Sequence, residues 1–171
     1  MNFPTAVALA LVSLAALSPF VRRSTAQTTE AQRSGDRQDW KELSNGVLRD
    51  GIGGLQWTHA DNGQDIDWKA ALAFCAAKGA GWRLPSAEEL EALFARAKLI
   101  GDSAKCGKST CRAPALFRLT GAWFWSSSRA GYEQDDGRAD VWGVVLVNGA
   151  RTSALADIGY GSRALCVRSG R

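Results

Sequence analysis

Histidine and methionine occur once each in the 171 residues, tyrosine twice and proline four times. With only His59 available, a His-rich metal site is excluded and any Ser–His–Asp chemistry would rest on that one ring. The one long apolar run, Ala6 to Leu17, is too short to span a bilayer comfortably. Charge of one sign is scarcely in excess: 21 Lys and Arg stand against 17 Asp and Glu, a formal +4. Two of those bases, Arg22 and Arg23, lie in a segment expected to be removed, and without them the balance is 19 to 17. So small a surplus, with no zinc-ligand, RNP-like or basic-helix pattern, predicts no nucleic-acid partner. Paired C-x-x-C knuckles, internal repeats and low-complexity tracts are also missing, which removes zinc ribbons, solenoids and propellers.

What is present is globular. Hydrophobic residues make up 46% and charged residues 22%, which excludes disorder throughout and fits one ordinary domain with a short extra segment. Seven Trp are an unusual load, because each buried indole N–H needs an acceptor.

The first residues speak for export. Ala6 to Leu17 is apolar and uncharged, and Ser24-Thr25-Ala26 supplies the small residues that a signal peptidase reads. Residues 1–26 are thus expected to be a signal peptide. An uncleaved anchor is the alternative, because the first residues lack Lys and Arg, while Arg22-Arg23 follow the apolar core. No Cys follows the run, so lipid attachment there is excluded. The expected location is extracytoplasmic, in the periplasm or secreted, with no membrane span after cleavage. Residues 27–45 are polar, with Trp40 and Leu43 their large apolar groups, and read as a linker or flexible arm. The domain proper is expected over 46–171.

An oxidising destination makes disulfides the expected state of Cys75, Cys106, Cys111 and Cys166. Four cysteines allow three connectivities. Cys106 and Cys111 bracket Gly-Lys-Ser-Thr and can close a small loop, leaving Cys75 to Cys166 as a long closure. On the chain-entropy model these are worth about 2 and about 4–5 kcal/mol respectively.

Periodicity places the elements. Val47–Arg49 and Leu55–Trp57 read as a hairpin. Asp67 is an N-cap for a helix whose apolar face is Trp68, Ala71, Leu72 and Cys75, ending at Gly79. Ser86-Ala87-Glu88-Glu89 is a capping box opening a second helix, with Leu90, Leu93, Phe94 and Ala97 on one face. A long basic connection spans 99–120. Strands are expected at Ala122–Ser126, Val141–Val147, Arg151–Leu155 and Ala164–Arg168, with Asn148-Gly149 as a type I′ turn. The class is α+β: two helices packed on antiparallel hairpins, stapled by disulfides.

Several pieces together carry a resemblance. The run Gly81-Trp82-Arg83-Leu84-Pro85-Ser86-Ala87-Glu88-Glu89-Leu90 resembles the G-W-R-L-P-T-x-x-E-L signature of the bacterial collagen-like-adhesin C-terminal domain family, also called the Lcl C-terminal domain. Gly54-Leu55-Gln56-Trp57 is similar to its opening strand and Trp68…Ala71…Cys75 to its first helix. Trp125-Ser126-Ser127-Ser128 is similar to its W-S-S strand, and Leu165-Cys166-Val167-Arg168 to its closing R-C-V-R strand. The likeness runs over about residues 46–168 in the family's order. It implies a C-type-lectin-like fold with a helix-borne Cys tied to the last strand, matching the long closure above. It also implies a secreted or surface-associated binding role, with adhesion and sulfated polysaccharides among the family's associations.

Candidate sites are weighed against structural duty. Trp82 and Leu84 are expected in the core, with Arg83 bonding carbonyls or Glu88. Trp123 and Trp125 share one face of a strand and Phe124 the other, so one side should be core; burial is expected for Trp125. Ser126, Ser127 and Ser128 have no G-x-S-x-G elbow, and no triad with His59 and Asp61 is expected. Two acidic runs have calcium's ligand type: Asp61, Asp65 and Asp67, and Glu133, Asp135, Asp136 and Asp140. Neither forms a full calcium loop, and the Glu-Pro-Asn and Gln-Pro-Asp tripeptides of sugar-binding C-type lectins do not occur. The expected cofactor is none, with calcium at 133–140 as the alternative. Basic residues cluster in the 99–120 connection, where Lys105, Lys108, Arg112 and Arg118 make the candidate polyanion site.

The predicted function is a non-catalytic binding or adhesion module. Its expected partner is a sulfated or other polyanionic glycan. The alternative is a structural or assembly subunit that binds an envelope or surface protein through residues 27–45. A catalyst related to the formylglycine-generating enzymes would need a free thiol.

Overall fold

The computed structural model describes residues 40–133 and 139–170. Among the described residues ten strands and two helices follow one another: β1 Trp40–Leu43, β2 Val47–Asp50, β3 Leu55–Thr58, α1 Trp68–Ala76, α2 Ala87–Ile100, β4 Ala104–Cys106, β5 Ser109–Cys111, β6 Trp123–Glu133, β7 Ala139–Val145, β8 Ala150–Leu155, β9 Ser162–Arg163 and β10 Val167–Ser169. Two sheets are four-stranded, ordered β1-β2-β3-β10 and β8-β7-β6-β9, and a third is the two-stranded β4-β5 ribbon.

Both helix starts form as their sequences dictate. The Asp67 carboxylate accepts from Ala70 N at 2.8 Å, taking up one of the orphan donors of the first turn. Ser86 Oγ accepts from Glu89 N while Glu89 accepts from Ser86 N, a complete capping box. Gly101 closes α2 in the left-handed region at φ 72°, where a side chain would be strained. Helix α2 buries Leu90, Leu93, Ala97 and Ile100; α1 buries Ala71 and Cys75.

Four expectations change. Part of the presumed arm is sheet: Trp40–Leu43 pairs antiparallel with β2, and Trp40 is buried against Phe117, ring centroids 5.5 Å apart. Residues 27–39 lie outside the described residues. The predicted strand Ala164–Arg168 is divided. β9 runs parallel to β6 and β10 antiparallel to β3, while Ala164, Leu165 and Cys166 cross between the sheets wholly buried. Asn148-Gly149 is not a type I′ turn, because Gly149 has positive φ and Asn148 does not. Both residues of Asn45-Gly46 do, and they turn β1 into β2.

The fourth concerns β6. Phe124 packs in a cluster with Trp57, Leu90, Leu93 and Val144, and Trp125 in another with Cys75, Leu84, Val141 and Ala164. Both side chains are fully buried, so neither side of the strand faces solvent here. Trp125 donates to Ile66 O at 2.8 Å. Trp123 is half-buried, donates to Thr152 Oγ1 at 2.7 Å, and lies where any side chain on Gly143 would be.

The disulfides pair as expected, Cys75 with Cys166 across 91 residues and Cys106 with Cys111 across five. The first ties α1 to the sheet crossover; the second closes the β4-β5 ribbon.

Candidate functional site: a disulfide-closed basic ribbon

The β4-β5 ribbon is closed by the Cys106–Cys111 disulfide. Ala104, Cys106 and Cys111 point inward and are buried; Lys105, Lys108 and Thr110 are exposed. Lys105 pairs with Thr110 in register. Lys108 lies in the turn after Gly107, whose φ of 61° and close approach to Thr120 O both require glycine. Arg112 follows β5, exposed, with its N–H donating to Leu146 O at 2.6 Å.

Arg118 completes the group. Leu119 bridges Cys106 in parallel, which lays the Arg118 segment along the ribbon. Lys105 and Arg118 are both exposed. Like charges gathered on one surface repel one another unless a counter-charge is supplied. Neither Lys105, Lys108, Arg112 nor Arg118 has an ion-pair partner among the described residues. Asp102, the one acid in the connection, is occupied by the Ser103 and Ala115 N–H groups. Arg96 belongs elsewhere: it pairs with Asp50.

Other candidates resolve into structural duty. Trp82 and Leu84 are buried. Arg83 pairs with Glu89 and not Glu88, because Glu89 sits at the capping-box position facing it, while Glu88 turns to Arg151. His59 Nδ1 lies 3.0 Å from Gly46 O, and Ser126 and Ser127 donate to the carbonyls of Trp142 and Pro85. Ser128 Oγ accepts from Ala87 N. No Ser–His contact forms. All four cysteines are in disulfides, leaving no thiol for formylglycine-type chemistry.

The first acidic run does not converge. Asp61 accepts from Thr120 and Gly63, Asp65 from Arg163, and Asp67 caps α1. Arg163 holds the Asp65 carboxyl below its ordinary range. In the second run Asp135, Asp136 and the Glu133 side chain lie outside the described residues, while Asp140 pairs with Leu155 in β7-β8.

One basic group escaped the sequence reading. Arg168 on β10 stacks over Trp82, 4.7 Å from the ring centre, and its Nε donates to Gln56 Oε1 at 2.8 Å. The only sequence signal was its place at the end of Leu-Cys-Val-Arg, which reads as a strand.

Among curated proteins the chain has no match. Among solved structures it is similar to botrocetin, with 13% identity over 78% of this chain and 97% of that one and a TM-score of 0.43. It is similar also to EMS16, an antagonist of collagen receptor integrin alpha2beta1, at 12% identity over 77% and 97% with a TM-score of 0.41. The snake venom toxin convulxin matches at 13% identity over 78% and 96% with a TM-score of 0.40. The Lcl C-terminal domain model matches residues 46–168. These residues include the Trp-Arg-Leu-Pro entry to α2, the Trp-Ser-Ser-Ser stretch of β6 and the disulfide-tied crossover; the chain belongs to the Lcl C-terminal domain family.

Proposed function

We propose that this protein is an extracytoplasmic, non-catalytic binding module. Its ribbon surface (Lys105, Lys108, Arg112 and Arg118) takes a sulfated or otherwise polyanionic glycan. The observation that carries this reading is the gathering of four exposed cations on and beside one disulfide-closed ribbon, whose mutual repulsion no acidic partner among the described residues relieves. A bound sulfate would relieve that repulsion, with Arg offering a fork and Lys a point charge. The Cys106–Cys111 closure lowers the ordering cost of binding by fixing the ribbon beforehand. Two disulfides fit an oxidising compartment, and no helix among the described residues is long and apolar enough to cross a membrane.

Retention of the oxidised protein on heparin across a salt gradient, with dextran as the uncharged control, tests the reading. Retention beyond physiological salt is expected, and it should be lost in the Lys105→Ala/Lys108→Ala/Arg112→Ala variant with no fall in melting temperature. Elution of the native protein in the first wash would reject it.

A second reading, an envelope or surface protein partner, has its own observation. The loop after β8 holds Ile158 and Tyr160 out to solvent, 48% and 90% exposed. Such apolar exposure is a feature of protein-binding surfaces.

A further inference from the structure

A cleft of about 510 Å³ opens between the β1-β2 turn, the strand-like run Thr58–Asp61, the end of α1 and β10; its lining includes His59, Lys78, Trp82 and Arg168. Arg168 also borders a second cleft of about 600 Å³ with Gln56 and Gly81. It is held in place from two sides, by the Trp82 face and by the Gln56 side chain. Its Nε is used, but its two terminal nitrogens have no partner among the described residues. Lys78, exposed at the end of α1, rests its ammonium 4.2 Å from the Phe74 ring centre and has no acidic partner there. The one carboxylate in the lining, Asp61, accepts from the Thr120 N–H and hydroxyl and from the Gly63 N–H, and the two cations outnumber it. The cleft therefore offers two unpaired cations, one a pre-placed fork over an aromatic face.

We infer that this cleft is an anion subsite for a carboxylate or sulfate group of an acidic sugar, contiguous with the basic ribbon. Contiguity follows from register. Arg118 bridges Ala60 in parallel and donates its N–H to His59 O at 2.7 Å, and both Ala60 and His59 line the cleft. From Cys106 across Leu119 and Arg118 to Ala60 is two strand spacings, roughly 10 Å. A linear polyanion lying on the ribbon thus reaches the cleft, which a single charged group cannot do from the ribbon. The spanning part of the inference rests on the ribbon reading; the subsite itself does not.

Two titrations of the ¹⁵N-labelled full chain separate these. Sodium sulfate, against sodium chloride of equal ionic strength, is expected to shift the Arg168 Nε–H and Gly46 amide signals saturably. Lys78→Ala, on an exposed side chain, and Arg168→Lys, which keeps charge but loses the fork, should each weaken this several-fold. Absent saturation, or saturation untouched by either variant, overturns the subsite. A heparin decasaccharide is then expected to move cleft and ribbon signals along one binding curve, with affinity lowered by either Lys78→Ala or the triple ribbon variant. Loss in Lys78→Ala alone keeps the subsite and rejects the ribbon. Loss in the ribbon variant alone, with cleft signals unmoved, keeps the ribbon and rejects the spanning.

Discussion

Glu89 grips Arg83 with both carboxylate oxygens, each 2.7 Å from a guanidinium nitrogen, while one of the same oxygens accepts the Ser86 N–H at 2.7 Å. One side chain thus closes the capping box of α2 and fixes the extended entry into it. Replacing Glu89 by Ala removes both at once. The Arg83 side chain is 47% exposed, so solvent screening discounts the ion pair. The expected loss is about 1–2 kcal/mol, mostly from the cap, read as a shift of the urea midpoint. Arg83→Ala should cost less; equal losses would assign the energy to the pair instead.

The same carboxylate sets a pH dependence. Burial pushes the Glu89 carboxyl up, but Arg83 and the Ser86 N–H outweigh it and hold the group below its ordinary 4.5. Glu88 is lowered too, by its own backbone N–H and by Arg151, and Asp65 by Arg163. A carboxyl depressed in the folded state stabilises above its unfolded pKa, and that contribution is lost as pH falls through the folded value. Melting temperature is expected to hold level from neutral down to about pH 5 and to fall below it. Glu89→Gln should flatten part of that fall. A variant whose decline matches the native one would remove Glu89 from the account.

The disulfides are expected to contribute unequally. Replacing Cys75 and Cys166 together by Ala should cost about 4–5 kcal/mol and Cys106 with Cys111 about 2. The second pair should also loosen the ribbon and weaken heparin retention while the domain stays folded. Retention unaffected by opening the small loop would show that the ribbon needs no pre-ordering.

The buried indoles divide by their N–H groups. Trp125 has Ile66 O, whereas Trp40 and Trp57 have no acceptor among the described residues. Trp→Phe at 125 removes volume and a hydrogen bond, at 57 volume alone. Trp125→Phe is expected to be the costlier by about 1 kcal/mol, measured by chemical unfolding. The reverse order would mean that the Trp57 N–H is satisfied in solution.

Gly143 tests the fit beneath Trp123. A Cβ there would fall 2.1 Å from Trp123 Cζ2, far inside contact distance, so the ring must leave Thr152. Gly143→Ala is expected to cost on the order of 1–3 kcal/mol and to change the near-ultraviolet circular dichroism. An unchanged spectrum would place the ring elsewhere.

Much of the architecture was legible because local chemistry governs it. Asp67, Ser86 and Glu89 act within one turn of their helices, and the Cys75–Cys166 closure follows once the small loop is assigned. Less legible were features set by distant partners. Asn45-Gly46 carried the same turn signal as Asn148-Gly149, yet β1 looks too polar for a strand: Lys41 and Glu42 face out, and Trp40 alone anchors it. The either-or reading of Trp123-Phe124-Trp125 assumed one wet side, and period-two alternation cannot reveal a strand covered on both. At the site, Lys105, Lys108 and Arg112 were visible as a cluster in sequence. The approach of the Arg118 segment to the ribbon, and the sharing of one cleft by Arg168 and Lys78, depend on segments brought together from far apart.

The burial of Phe124 and Trp125 on opposite sides of β6 has an evolutionary implication. Positions 124–126 have no wet side, so a change there disturbs a packed layer. Exposed positions such as Lys105, Lys108 and Thr110 on the disulfide-closed ribbon carry no such penalty. Divergence among such proteins should therefore look like a change of trim on one chassis.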